Sequence, residues 1–131
     1  MSENFILEII NPEESFLSKK VSEVVVPGIE GEMGILSNHI PIISFLKPGI
    51  LKVYSDEAEE NFYIEEGIVE FKDNTLSILT NEIIDIKQKE KINFDEKIKK
   101  SQEELLKDDI SDETRFIINQ KIDTLKSISL L

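Results

Sequence analysis

The stretch VVVPGIEGEMGILSNHIPIISFLKPGIL, residues 24–51, decides the fold. Four of the chain's five glycines and three of its four prolines fall inside it, between short runs of Val, Ile, Leu and Phe. Pro27, Pro41 and Pro48 fix φ and remove backbone donors. Gly28, Gly31 and Gly34 are read as supplying positive φ or close backbone approach, so the chain must turn again and again. Apolar runs this short between forced turns are strands of a β-sandwich with tight loops. The segment is not a phosphate loop. No Gly-Lys-Ser/Thr closes it, and no helical pattern follows to offer an N-terminus to an anion.

Outward from this stretch the same rhythm continues. Apolar runs recur every 8 to 10 residues up to residue 86 and give about ten candidate strands: residues 4–10, 14–18, 22–26, 31–36, 41–46, 49–54, 59–64, 67–72, 75–80 and 82–86. That spacing belongs to an antiparallel sandwich or barrel. Ile68-Val69-Glu70-Phe71-Lys72 and Leu76-Ser77-Ile78-Leu79 alternate, which puts one face in a core and the other in water. Asp73-Asn74 is the natural hairpin turn between them, because both residue types tolerate left-handed backbone.

From Glu82 onward there is no Gly and no Pro, and the pattern changes to that of two helices. Asn93 and Glu96 have the spacing of a capping box, and Phe94, Ile98, Ser101 and Leu105 form a narrow stripe. The pattern breaks at residues 107–110. Ser111 then caps a second helix whose first turn carries Asp112 and Glu113, where the helix dipole favours negative charge. Ile117, Ile118, Ile122, Leu125 and Ile128 make its broad apolar stripe, with Phe116 on the opposite side. A β-sandwich domain over residues 1–86 and an α-helical hairpin domain over residues 87–131 are therefore expected. A hairpin of about 40 residues cannot build a core of its own, so it must lean on the sandwich or on a partner.

Charge narrows the function. With 15 basic and 27 acidic side chains the net charge is −12, and −10 of it lies in residues 1–81. Such a surface repels phosphates, so no nucleic acid partner is expected. It complements a basic partner instead and speeds docking to it. The absence of Cys removes disulfides, thiolate metal sites and thiol catalysis. One His and one Arg leave no metal cluster and no serine triad, so an enzyme is not expected. The neighbouring carboxylates Glu59-Glu60 and Glu65-Glu66 point to opposite faces of a strand and are expected to be solvated. The start, Met1-Ser2-Glu3-Asn4, is acidic rather than basic, and the longest nearly apolar run, residues 40–46, is far shorter than the ~20 residues of a membrane span. A protein of the cytoplasmic side is expected, one that meets a membrane only through a membrane protein.

The ordered combination Pro27-Gly28-x-x-Gly31-Glu32-x-Gly34-Ile35-Leu36, then His39-x-Pro41, then Leu46-Lys47-Pro48-Gly49, resembles the epsilon subunit of the bacterial-type F-type ATP synthase. The likeness extends to the opening Phe5-Ile6-Leu7-Glu8-Ile9-Ile10, to Gly67-Ile68-Val69-Glu70 and to the two-helix tail. It implies a ten-stranded β-sandwich followed by a helical hairpin, in a non-catalytic subunit of the rotor stalk that needs no cofactor. The implied partners are the gamma subunit, held by the sandwich, the membrane c ring, on which the sandwich sits, and the alpha/beta catalytic head. The hairpin is implied to fold down on the sandwich or to extend toward that head and restrain ATP hydrolysis. The implied location is the cytoplasmic face of a bacterial inner membrane.

By this resemblance Glu32 and His39 match motif positions that face the c ring. A carboxylate on a glycine-bounded loop can accept charge-assisted hydrogen bonds from a partner, and a histidine titrates near neutrality and can tune the contact. His39 can equally be spent on hydrogen bonds within its own loop. Some relatives bind regulatory ATP through an Asp-x-x-Arg-Ala run. Here Phe94-Asp95-Glu96-Lys97-Ile98-Lys99 keeps Asp95 but has Ile98 and Lys99 in place of the Arg and Ala, which removes the bidentate phosphate donor. Asp95 also serves as an ordinary first-turn charge. Arg115, Lys121 and Lys126 are the candidate contacts to acidic surfaces of the catalytic head. From another class, a free-standing small-molecule-binding sandwich with a helical dimerisation tail fits the same periodicities.

Overall fold

The computed structural model describes residues 3–56 and 58–131, with the side chains of residues 14–16 outside the description; Met1 and Ser2 of the acidic start lie outside it as well. Period-two alternation through the first half produces β1 (Phe5–Asn11), β2 (Glu14–Val21), β3 (Glu23–Gly28), β4 (Gly31–Leu36), β5 (Ile42–Leu46), β6 (Gly49–Tyr54), β7 (Glu59–Ile64), β8 (Gly67–Lys72), β9 (Thr75–Thr80) and β10 (Ile83–Asp85). Each corresponds to an expected strand with its ends moved by a few residues.

The strands pair as two five-stranded layers. One runs β4-β3-β6-β7-β10 and the other β5-β8-β9-β1-β2, and the single pair Gly28↔Leu46 stitches them into one continuous ladder. Their inner faces meet in a core that includes Phe5, Leu7, Ile9, Val24, Val26, Ile35, Leu51, Val53, Phe71 and Ile78, all at most 2% exposed. Among the described residues the pairing is antiparallel except in one place. β1 lies parallel to β9, from Ile6↔Thr75 to Ile10↔Leu79, where a wholly antiparallel arrangement was expected.

Two of the three motif glycines do what the sequence requires of them. Gly31 has φ +140°, and a Cβ on Gly28 would stand 2.7 Å from the Gly31 carbonyl oxygen, so both must be glycine for β3 to fold back as β4. Gly34 differs. A Cβ there would meet only Glu23 Oε2 at 3.6 Å, an ordinary contact, and the turn after β4 is made by Asn38 at φ +64° instead. Asp73 and Asn74, at φ +52° and +55°, form the expected hairpin turn.

After β10 the chain makes a 3₁₀ segment, Ile86–Lys91, that the sequence reading left without structure. Its start is fixed by Asp85, whose carboxylate accepts from Lys87 N at 2.9 Å. Then come α1 (Phe94–Leu105) and α2 (Asp112–Ser129). The two predicted caps form: Asn93 Oδ1 accepts from Glu96 N at 3.0 Å, and Ser111 Oγ accepts from Thr114 N at 3.1 Å.

The hairpin lies down on the sandwich. Leu125 and Ile128 of α2, with Phe94 and Ile98 of α1, form a second apolar cluster with Tyr63 of β7, Ile50 of β6, Ile84 of β10 and Ile86. These strand positions alternate with the core positions, so the hairpin covers the outer face of the β4-β3-β6-β7-β10 layer.

Candidate interaction surfaces

Among the described residues the second layer has no such cluster on its outer face. Along β5, β8, β9 and β1 the outward-pointing positions Phe45, Ile68, Leu79 and Ile10 stand directly opposite one another, through the pairs Phe45↔Ile68, Ile68↔Leu79 and Ile10↔Leu79. They are 63%, 42%, 46% and 39% exposed, a row of four large apolar side chains across four strands. Soluble surfaces rarely leave contiguous apolar residues in water unless something binds there. The neighbouring outward row carries Ile43, Glu70, Ser77 and Glu8.

At one end this row runs into a groove of about 950 Å³ lined by Phe45, Ile68 and Leu79 on the sheet and by Phe116 and Ile117 on α2. Glu66, Asp112 and Glu113 stand at its rim. Lys47 Nζ lies 5.9 Å from the centroid of the Phe116 ring.

Sequence reasoning missed the row, although its signal was present. Ile10, Phe45 and Leu79 sit at positions where clean alternation demands a polar residue, so these strands are apolar on both parities and two faces need covering.

Of the residues read from the motif, Glu32 is exposed on β4, close to the β3–β4 turn, with its carboxylate 3.8 Å from Lys52 Nζ. Exposed pairs of this kind contribute at most about 1 kcal/mol, so Glu32 remains available to a partner. His39 lies beyond the other end of β4. Its Nδ1–H donates to the Ile40 carbonyl oxygen at 2.8 Å, and its ring meets Phe71 edge to face at 5.8 Å. The structure therefore does not bring Glu32 and His39 together; they mark opposite ends of one strand.

The three cations assigned to the catalytic head also separate. Lys121 Nζ pairs with Glu65 Oε1 at 3.2 Å, tying α2 to the sandwich. The Arg115 guanidinium donates to the Leu105 carbonyl oxygen at 3.4 Å, across the tip of the hairpin. Lys126 is exposed near the end of α2, and Asp95 is exposed in the first turn of α1. Glu60 and Glu65, expected to be merely solvated, instead pair with Lys19 and Lys121. Both are reached by elements distant in sequence, β2 and α2, which local alternation does not reveal.

Glu65 also accepts a hydrogen bond at 3.1 Å from the Tyr63 hydroxyl, beneath the hairpin. Burial pushes the Tyr63 phenol well above its ordinary value of 10.0, helped by the Glu65 charge and hydrogen bond and then by the charge of Glu82. The folded chain thus holds this proton after the unfolded chain has released it. Stability is complete below pH 10 and falls as pH rises beyond it, by up to ~1.4 kcal/mol per pH unit. Tyr63→Phe removes that component: urea midpoints measured at pH 9 and pH 11 converge for this variant relative to the parent. Equal alkaline losses in both chains would contradict the assignment.

Comparison with known proteins agrees with this architecture. The family model described as ATP synthase, Delta/Epsilon chain, beta-sandwich domain matches residues 4–86. The ATP synthase epsilon chain of Pelagibacter ubique (strain HTCC1062) is 54% identical over 130 residues, covering 98% of this chain and 100% of that relative. The ATP synthase epsilon chain 2 of Nitrobacter hamburgensis is 32% identical over 124 residues, covering 95% of this chain and 90% of the relative. Among solved structures, a chain of the Euglena gracilis mitochondrial ATP synthase (OSCP/F1/c-ring) superposes with a TM-score of 0.78 at 22% identity, covering 98% of this chain and 82% of that one. A chain of the Tetrahymena thermophila mitochondrial ATP synthase (central stalk/c-ring) gives 0.68 at 16% identity, covering 98% and 96%. At these identities the two structures share the fold. With the family model spanning most of the chain and a relative above half identity along its full length, this protein belongs to the ATP synthase epsilon-chain family.

Proposed function

We propose that the chain works as a non-catalytic rotor-stalk subunit whose uncovered layer holds the gamma subunit. The observation that carries this reading is the asymmetry of the sandwich: its own hairpin packs on one outer face, while the Phe45-Ile68-Leu79-Ile10 row on the other stays 39–63% exposed. An apolar sheet face of this kind marks a surface that another layer covers. The small-molecule rival is less favoured because the apolar surface extends past the groove to Ile10 and, in the neighbouring row, to Ile43, more area than a small ligand covers.

The c ring is assigned to the end of the sandwich that carries the β3–β4 turn, where Glu32 offers an exposed carboxylate to its polar loops. His39, bound into its own loop at the other end of β4, is left out of that contact. We treat residues 1–86 and 87–131 as separately moving units, and the hairpin as a restraint on ATP hydrolysis that acts when it leaves the sandwich and presents Arg115, Lys121 and Lys126 to the alpha/beta head. The location that follows is the cytoplasmic face of a bacterial inner membrane, reached through the complex. No helix among the described residues is long and apolar enough to cross a membrane. Co-expression with a gamma subunit tests the reading: a stable one-to-one complex that hydrolyses no ATP is expected. Failure to associate at micromolar concentrations overturns it.

A further inference from the structure

We infer that the seat for the stalk partner has two walls, one on the sandwich and one on the hairpin, so that the occupant itself holds the hairpin down. The inference rests on the stalk reading above. The groove is bounded by Phe45, Ile68 and Leu79 on one side and by Phe116 and Ile117 on the other, so an apolar ridge that fills it touches both units at once. The row it continues spans four strands spaced ~4.8 Å apart, roughly 14 Å, the length of about ten residues of α-helix. A helix laid face-on across the strands is the element that fits a flat sheet face.

Charge specifies that helix further. Glu70 and Glu8 point outward in the row on one flank, and on the other the carboxylates of Glu66, Asp112 and Glu113 outnumber Lys47, which lies over the Phe116 ring. An amphipathic helix with an apolar ridge and basic residues on both flanks therefore complements the site, in keeping with the net charge of the sandwich half. Phe116 is 43% exposed on the side of α2 opposite its buried stripe, so its ring, beside Lys47, is open to an occupant of the groove. Because the occupant gains contacts with α2 only while the hairpin is down, its binding shifts the hairpin toward that position by mass action.

The test uses the full chain and a purified gamma subunit. The absence of native Cys allows single labels at Asn119→Cys on α2 and Lys72→Cys on β8 to report the hairpin position by energy transfer. Gamma is expected to narrow the distance distribution to the docked value. Phe116→Ser, which removes one wall and no core packing, is expected to weaken gamma binding about ten-fold and to abolish the narrowing. If Phe116→Ser binds gamma normally and gamma leaves the label distance unchanged while Ile68→Asp still disrupts binding, the seat is the sheet alone: the inference fails and the stalk reading stands. If Phe116→Ser binds gamma normally but no longer assembles onto the c ring, the occupant is a ring loop and the inference is again overturned. If neither variant alters gamma binding, both fall together.

Discussion

Replacing Ile68 by Asp lowers the affinity for the gamma subunit on the order of 100-fold or more while leaving the isolated chain folded. Ile68 stands in the middle of the outward row, between Phe45 and Leu79, and points away from the core. Its partner-bound burial contributes about 2 kcal/mol, and a carboxylate left unpaired in that desolvated row costs at least as much again. At 1.4 kcal/mol per factor of ten, the two effects exceed two orders of magnitude. The isolated chain loses far less. Ile68 is already 42% exposed, so its replacement changes stability by about 1 kcal/mol, most of it strand propensity. Titration calorimetry for binding and thermal melting for folding separate the two quantities. Intact binding with an intact melt would remove the row from the interface, and a collapsed melt would mean that Ile68 serves the core after all.

The second large effect concerns the hairpin. Leu125 is fully buried, and with Ile128 and Tyr63 it forms a cluster distinct from the sandwich core. Leu125→Ala costs about 2–5 kcal/mol for a buried leucine, a large fraction of what can hold two short helices against a sheet. Amide exchange in α1 and α2 is expected to accelerate at least 30-fold, while the strands keep their protection, because no core residue between the two layers is disturbed. Loss of protection in strands and helices together would show that sandwich and hairpin unfold as one unit. The same variant raises the population of released hairpins, so in an assembled head it is the natural partner for hydrolysis measurements.

Much of the fold was legible in the residues because local signals agreed with the global answer. Gly28, Gly31, Asp73 and Asn74 could be placed as turns, and Asn93 and Ser111 as caps, since each acts on neighbours a few positions away. What stayed hidden depends on elements distant in sequence. The ion pair from Lys121 to Glu65, the burial of Tyr63 and the parallel match of β1 with β9 follow from how layers come together, and no periodicity contains that information. The apolar row lies between these cases. Its residues were visible in the strands, but alternation was read as one wet face, and only the register shows that Phe45, Ile68, Leu79 and Ile10 meet. For the motif residues the family likeness located Glu32 and His39, and only the strand between them shows that they stand at opposite ends of β4.

The parallel match of β1 with β9 also constrains how the chain is made. Ile6 finds its neighbour at Thr75, so β1 has to wait for the synthesis of β9 before its ladder is complete. Closing so long a loop ahead of any reward slows folding, as in other domains of high contact order. During that wait both edges of the β1–β2 ribbon are unprotected, and Lys19 and Lys20 supply charge on β2, the edge that stays open in the finished sheet.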